Sequence, residues 1–221
     1  MKKTLLNSFM MIVVIAIMSS CGNSNKTNEN KTTTDSTKKT VKTVDNLKAA
    51  ITGESTASAK YAAFATKAKE EGFIQISKMF EATSKAESIH AENHKKALED
   101  LGEKFDVKLD AFEVKTTKEN LEASIKGETH EFEAMYPEFI KQGETDQATK
   151  AVKSFKWAMD TEKKHKDMYQ KALDALNAKK DKSLPAEYFV CPKCGYTYDK
   201  KDVQENCEIC DTEKSKYFVI K

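Results

Sequence analysis

The chain has no apolar stretch long enough to cross a bilayer, no excess of one charge sign, and no cysteine between positions 21 and 191. A spanning helix needs about 20 apolar residues, and the run from Phe9 to Met18 is too short for that. Net charge is +2 at pH 7, with lysines spread among glutamates. That pattern reads as a solvated helical surface and offers no basis for binding nucleic acid. The middle of the chain therefore has neither a thiolate ligand nor a disulfide. At 221 residues the chain is long enough for one large domain or two small ones.

What the middle does contain is a repeated pattern of carboxylates and histidines. Glu54 is followed by Glu87 and His90, and Glu128 by Glu162 and His165, with gaps of 33 and 34 residues. Each leading glutamate follows a glycine, Gly53 or Gly127. Each Glu-x-x-His is followed by the same pair, Ala97-Leu98 or Ala172-Leu173. This is a duplicated helical hairpin. Residues i and i+3 share a helix face, so Glu87 and His90 point one way, as do Glu162 and His165. In all four helical segments the acidic residue interrupts the apolar stripe: Leu47, Ile51, Glu54, Tyr61 in the first, and Phe155, Glu162, His165, Tyr169 in the fourth. An unpaired buried carboxylate costs several kcal/mol. Lysines such as Lys95-Lys96 and Lys163-Lys164 lie on the opposite faces. A charge-rich, salt-bridged bundle would explain any single glutamate, but not the duplicated set. Such a set fits a four-helix bundle holding two metal ions, with one Glu from each of two helices and one Glu-x-x-His from each of the others.

The ends differ in kind. Lys2-Lys3, the apolar run and Ser19-Ser20-Cys21-Gly22 form a leader, expected over residues 1–20, with Cys21 resembling a bacterial lipidation cysteine. The expectation is an exported chain anchored to a bacterial membrane by lipid alone, most simply on the periplasmic side. Residues 21–43 are nearly all Asn, Thr, Lys and Ser and read as a disordered tether. The first helix is expected near Val44 and the bundle over 44–178. The connection 101–116 is long, with a capping box from Thr116 to Glu119 opening the third helix, which Pro137 should kink. Over 187–221, Cys191-Pro192-Lys193-Cys194-Gly195 and Cys207-Glu208-Ile209-Cys210 form two Cys-x-x-Cys pairs. Two such pairs suit a tetrahedral tetrathiolate site for iron or zinc; two disulfides are the alternative in an exported protein. Gly195 after the second cysteine permits a positive φ, and Asp211 occupies the matching place in the second pair.

Together these residues resemble rubrerythrin: mostly α, a ferritin-like four-helix bundle with a small C-terminal rubredoxin-like unit. The likeness rests on Gly53-Glu54-Ser55 with Tyr61, Glu87-x-x-His90, Gly127-Glu128-x-x-Glu131 with Met135-Tyr136-Pro137, Glu162-x-x-His165 and Tyr188-Phe189-Val190-Cys191. The resemblance implies two irons held by Glu54, Glu87, Glu128, Glu162 and His165, with Glu87 and Glu162 bridging. His90 and Glu131 would alternate at one iron, and Tyr61 and Tyr136 would be hydrogen-bond donors beside the site. A third iron would sit on Cys191, Cys194, Cys207 and Cys210. The implied activity is reduction of hydrogen peroxide to water, with electrons from an unidentified donor relayed through the tetrathiolate iron between subunits of a head-to-tail dimer. A ferroxidase uses the same ligands, and a metal-binding lipoprotein without turnover is the reading from another class. The arginines common after the family's first glutamate are absent; this chain has none. His94, one turn beyond His90, is expected at the bundle end and partly exposed, and His130 is given no role.

Overall fold

A computed structural model describes residues 33–221, with side chains described from Lys42 onward. The leader, Cys21 and the first part of the tether lie outside the described residues. Helix α1 (Thr33–Glu70) pairs with the shorter α2 (Ile74–Asp100). After the extended connection come α3 (Thr117–His130), a π-helical turn (Glu131–Met135) and α4 (Tyr136–Thr145). These three form one continuous rod, which packs against α5 (Thr149–Asn177). Two hairpins joined by a crossover make the four-helix bundle. Among the described residues no helix is long and apolar enough to cross a membrane.

Helix α1 already includes Thr33, ahead of the start near Val44 that periodicity predicts. No glycine or proline separates the two positions, and extending a nucleated helix costs little per residue. Thr43, placed by the sequence in the tether, is buried and donates to Asp146 Oδ2 at 2.6 Å. The capping box forms as expected: Thr116 Oγ1 accepts from Glu119 N at 3.3 Å, and Thr116 N donates to Glu119 Oε2 at 3.2 Å. Pro137 produces something more specific than a kink. It has no N–H to offer the Glu133 carbonyl, and the π turn, which widens the helix by one residue, ends at Met135, two residues before it.

The core is divided. Tyr61, Phe64, Ile76, Phe80 and Tyr169 belong to one buried apolar cluster, and Leu47, Ile51, Leu98, Tyr136 and Phe155 to another. The acidic residues of the stripes lie between them. Beyond α5, three short strands, β1 (Tyr188–Val190), β2 (Thr197–Asp199) and β3 (Phe218–Ile220), form an antiparallel sheet in the order β2-β1-β3. Val190 pairs with Thr197, so a hairpin carries the first two cysteines on its turn. The sheet packs on α2 and α5.

Candidate metal centres

Six side chains from four helices converge between the two apolar clusters. Glu54, Glu87, His90, Glu128, Glu162 and His165 are each 0–1 % exposed. Their ligand atoms form two groups, each within 4.8 Å: Glu54, Glu87, His90 and Glu162, and Glu87, Glu128, Glu162 and His165. Glu87 and Glu162 belong to both. Their oxygens divide accordingly. His90 Nδ1 is 2.9 Å from Glu87 Oε2 and 3.0 Å from Glu162 Oε1. His165 Nδ1 is 3.0 Å from Glu87 Oε1 and 3.1 Å from Glu162 Oε2. Each of these two carboxylates therefore turns one oxygen to each histidine, as a bridge between two cations must.

The donors fit cations better than they fit each other. Both oxygens of Glu87 and Glu162, one oxygen each of Glu54 and Glu128, and both histidine Nδ1 atoms are buried with no hydrogen-bond partner. Buried polar groups are seldom left so. The separations near 3 Å match the edges of a coordination polyhedron whose ligands stand about 2.0–2.2 Å from its centre. Electrostatics agree. Burial raises the Glu128 carboxyl well above the ordinary range, with the charges of Glu87, Glu131 and Glu162 adding to it. Burial also works to raise Glu54, but the nearby imidazoles of His90 and His94, each 3.9 Å away, outweigh it and hold that carboxyl low. His165 is pushed up to about 9: burial opposes its charge, but Glu87 and Glu162 prevail. Without cations, the histidines supply the positive charge the carboxylates need.

Neighbours fix the donors in place. Tyr61 Oη donates to Glu128 Oε1 at 2.5 Å, and Tyr136 Oη donates to Glu54 Oε1. Thr197 Oγ1, on β2, donates to the Gly195 carbonyl at 3.2 Å and lies 3.0 Å from His165 Nε2. Its hydroxyl proton is thus committed, so it accepts from Nε2–H and leaves Nδ1 free to ligate. Glu131 lies in the π turn, outside both four-residue groups and half-buried. It still senses them: burial first, then Glu54, Glu162 and Glu87, raises its carboxyl well above the ordinary range. His130 is exposed. His94 departs from expectation. It is fully buried, with Nδ1 3.0 Å from Ser154 Oγ and Nε2 3.1 Å from Tyr136 Oη, polar partners that make its burial tolerable. Sequence reasoning missed Thr197 and Ser154 altogether; nothing in the periodicity of either points to the cluster.

The four cysteines gather at the other end of the hairpin. Cys191 Sγ and Cys210 Sγ are 3.4 Å apart, and Cys194 Sγ and Cys207 Sγ 3.5 Å. These are not disulfides, whose sulfurs stand about 2.05 Å apart. They approach the edge of about 3.8 Å for a tetrahedron with metal–sulfur bonds of about 2.3 Å. The two loops are alike: Gly195 N donates to Cys191 O at 3.0 Å and Asp211 N to Cys207 O at 2.8 Å. Gly195 and Asp211 hold φ at +86° and +59°. Hydrogen bonds from Cys191 and Cys194, joined by one from Tyr198, hold Cys207 far below the usual thiol range against burial. This cluster touches the first. A Cβ on Gly195 would stand 2.4 Å from His90 Nε2 and 3.2 Å from the Ala86 carbonyl, so only a glycine fits between Cys194 and His90.

Known proteins share this architecture. The chain is 32% identical to Rubrerythrin-2 of Clostridium acetobutylicum over 180 residues, 81% of this chain and 97% of that protein. It is 35% identical to nigerythrin of Nitratidesulfovibrio vulgaris over 176 residues, 79% and 85% of the two chains. The structure of nigerythrin in its mixed-valent state superposes with a TM-score of 0.72 at 34% identity, covering 80% of this chain and 86% of that one. Residues 45–173 match the rubrerythrin family as a whole, more than half of the chain. The chain belongs to the rubrerythrin family.

Proposed function

We propose that this protein reduces hydrogen peroxide to water at an iron pair in the bundle, with electrons delivered through iron in the cysteine cluster. One observation carries the choice: the four-cysteine cluster abuts a histidine of the carboxylate cluster, through Gly195 against His90. An enzyme fed with electrons from outside needs such a contact. A ferroxidase does not, because it takes electrons from its own substrate. Two ferrous ions, when bound, would supply the two electrons that peroxide requires and the positive charge to polarise its oxygens. Nigerythrin has been seen fully reduced, with all its iron ferrous.

The chain's own residues would do the rest. Glu87 and Glu162 set the spacing of the two positions, Glu54 and Glu128 cap the ends, and His90 and His165 complete each set. Glu131, on the π turn three residues after Glu128, would exchange with His90 as the family resemblance implies. Tyr61 and Tyr136 hold protons on their Oη atoms against Glu128 and Glu54. Each oxygen of peroxide leaves as water, so two protons must enter a site that the apolar clusters otherwise close. The resemblance also implies a dimer with the relay between subunits. Here the contact lies within one chain, and exchange of the C-terminal unit between two copies would recreate it across the subunit boundary.

The leader and Cys21 support an exported protein, lipid-anchored on the periplasmic side of a bacterial membrane. Cys21→Ser should release it from membranes, and labelled fatty acid that never enters the wild type would overturn that reading. For the chemistry, the protein is reduced anaerobically and mixed rapidly with peroxide. Reoxidation by about one peroxide per iron pair, faster than by oxygen, is expected. Preferential consumption of added ferrous iron with ferric iron building up beyond the bound ions would make it a ferroxidase. No reaction with either would leave a metal-binding lipoprotein.

A further inference from the structure

The duplication contains one asymmetry that peroxide reduction does not call for. An offset of 75 residues relates Glu87 to Glu162, His90 to His165 and Tyr61 to Tyr136, and the same offset relates His94 to Tyr169. In one half, Tyr169 lies behind Tyr61, their rings 5.5 Å apart, and its hydroxyl donates to Thr83 Oγ1 at 2.7 Å. In the other half the residue behind the tyrosine is an imidazole. His94 Nε2 is 3.1 Å from Tyr136 Oη and 3.9 Å from Glu54 Oε1, and its ring lies 5.2 Å from that of Phe155.

Proton counting gives this contact a direction. An ionised Glu54 only accepts, so the Tyr136 hydroxyl proton points at it. The Tyr136 oxygen then accepts, and the group facing it is His94 Nε2. A neutral imidazole with its proton on Nε2 has its lone pair on Nδ1, and Ser154 Oγ, 3.0 Å away, is the donor there. Ser154 also lies 2.9 Å from the Ala151 carbonyl, its alternative acceptor one helical turn back. The run Ser154, His94, Tyr136, Glu54 therefore ends on one carboxylate oxygen, and Glu54 fixes the direction of the two contacts nearest it, Tyr136 to Glu54 and His94 to Tyr136, while the Ser154 hydroxyl serves either His94 Nδ1 or the Ala151 carbonyl.

We propose that His94 is a positioning residue for the metal position built from Glu54 and His90. It holds the Tyr136 hydroxyl, and through it Glu54, leaving the Glu128–His165 position to an ordinary tyrosine pair. This rests on the two-cation reading of the bundle. Its consequence is that the two positions differ in stiffness although the ligands are duplicated. Glu54 is pinned on the side where His90 and Glu131 would exchange, so one ligand can leave without the carboxylate opposite following it.

The test is binding of cobalt(II), titrated anaerobically into the full chain depleted of metal, for the wild type and for His94→Leu, His94→Gln, His94→Asn, Tyr136→Phe and the double His94→Leu/Tyr136→Phe. Intense thiolate–cobalt absorption reports the cysteine cluster separately from the bundle. The wild type should fill two bundle positions. His94→Leu should weaken one of them about 10–100-fold, the usual effect of removing a residue that orients a ligand, and leave the other and the cysteine site unchanged. Gln, whose amide nitrogen reaches where Nε2 stands, should restore most of the affinity. Asn, which reaches Ser154 but not Tyr136, should not. The double variant should be no worse than Tyr136→Phe, because both changes cut one run of hydrogen bonds. Should the Leu variant lose its helical circular dichroism, the contrast between Gln and Asn decides the matter alone. Equal weakening of both positions, no weakening, or additive losses in the double variant would overturn the role of His94. Failure of the wild type to take two ions in the bundle would instead overturn the two-cation reading.

Discussion

At the scale of single residues, Glu87 and Glu162 differ from the other carboxylates in having each oxygen directed at a different histidine. Glu87→Ala or Glu162→Ala should therefore empty both bundle positions, since the two cations would face each other unshielded. Glu131→Ala should keep the iron and slow peroxide turnover at least tenfold. Iron content and turnover of the three variants check this, and equal iron loss in all three would refute the exchange. Gly195 is set apart by what surrounds it. Its positive φ is legible in the sequence as the residue after a Cys-x-x-Cys pair; its approach to His90 is not. Gly195→Ala should push the C-terminal unit off α2 at a cost of about 1–3 kcal/mol. Both metal sites should still load, while reduction of the bundle iron through the cysteine site slows. Stopped-flow reduction separates that outcome from simple loss of metal.

At the scale of elements, the π turn explains a mismatch already visible in the sequence. Glu54 and Glu128 are 74 residues apart, but Tyr61 and Tyr136 are 75 apart. The extra residue enters between Glu128 and Tyr136, where the helix widens over Glu131–Met135. One added residue in a regular helix would rotate Tyr136 by about 100°; the π turn absorbs it and returns Tyr136 to Glu54. It also turns Glu131 toward the cluster. Deleting Glu133, which is exposed in that turn, should restore a plain α-helix. Helical circular dichroism should persist while iron binding in the bundle falls, because neither Tyr136 nor Glu131 keeps its facing. Undiminished iron loading would show the turn to be incidental. The cysteine unit is more independent. Cys191→Ser should abolish the tetrathiolate absorption and leave the iron pair in the bundle, as metal analysis would show.

At the scale of the whole molecule, the buried cluster makes stability depend on pH when metal is absent. The folded protein holds the proton of His165 up to about pH 9, whereas an unfolded chain releases it near 6.5. Between these values the native state binds more protons, so its stabilisation is complete below about 6.5 and is lost as pH rises toward 9. Glu128, Glu131 and Glu162 are also raised and act in the same direction from lower pH. Thermal unfolding of metal-free protein should thus show a midpoint that falls as pH rises from 6.5 to 9. Iron should flatten the dependence, because bound ligands carry no proton in that window. A midpoint that rises with pH in the metal-free protein would mean that the histidines are not the carboxylates' partners.

The sequence by itself determined which residues hold metal-binding chemistry and on which kind of element. Glu-x-x-His at helical spacing, acidic residues inside apolar stripes, and paired Cys-x-x-Cys are local patterns, and a helix or tight loop presents them the same way wherever it packs. The capping box at Thr116 and the extra residue before Tyr136 are local in the same sense. Only the tertiary structure decided what stands behind those residues. His94 to Ser154, Thr197 to His165 and Gly195 to His90 join positions 60, 32 and 105 residues apart. No periodicity encodes such pairs, because they depend on how whole helices and the C-terminal sheet come together. His94 looked like a residue of the bundle end because its own helix shows only its spacing. Its burial comes from Tyr136 and Ser154 on the second hairpin, and that hairpin arrives only when the bundle closes.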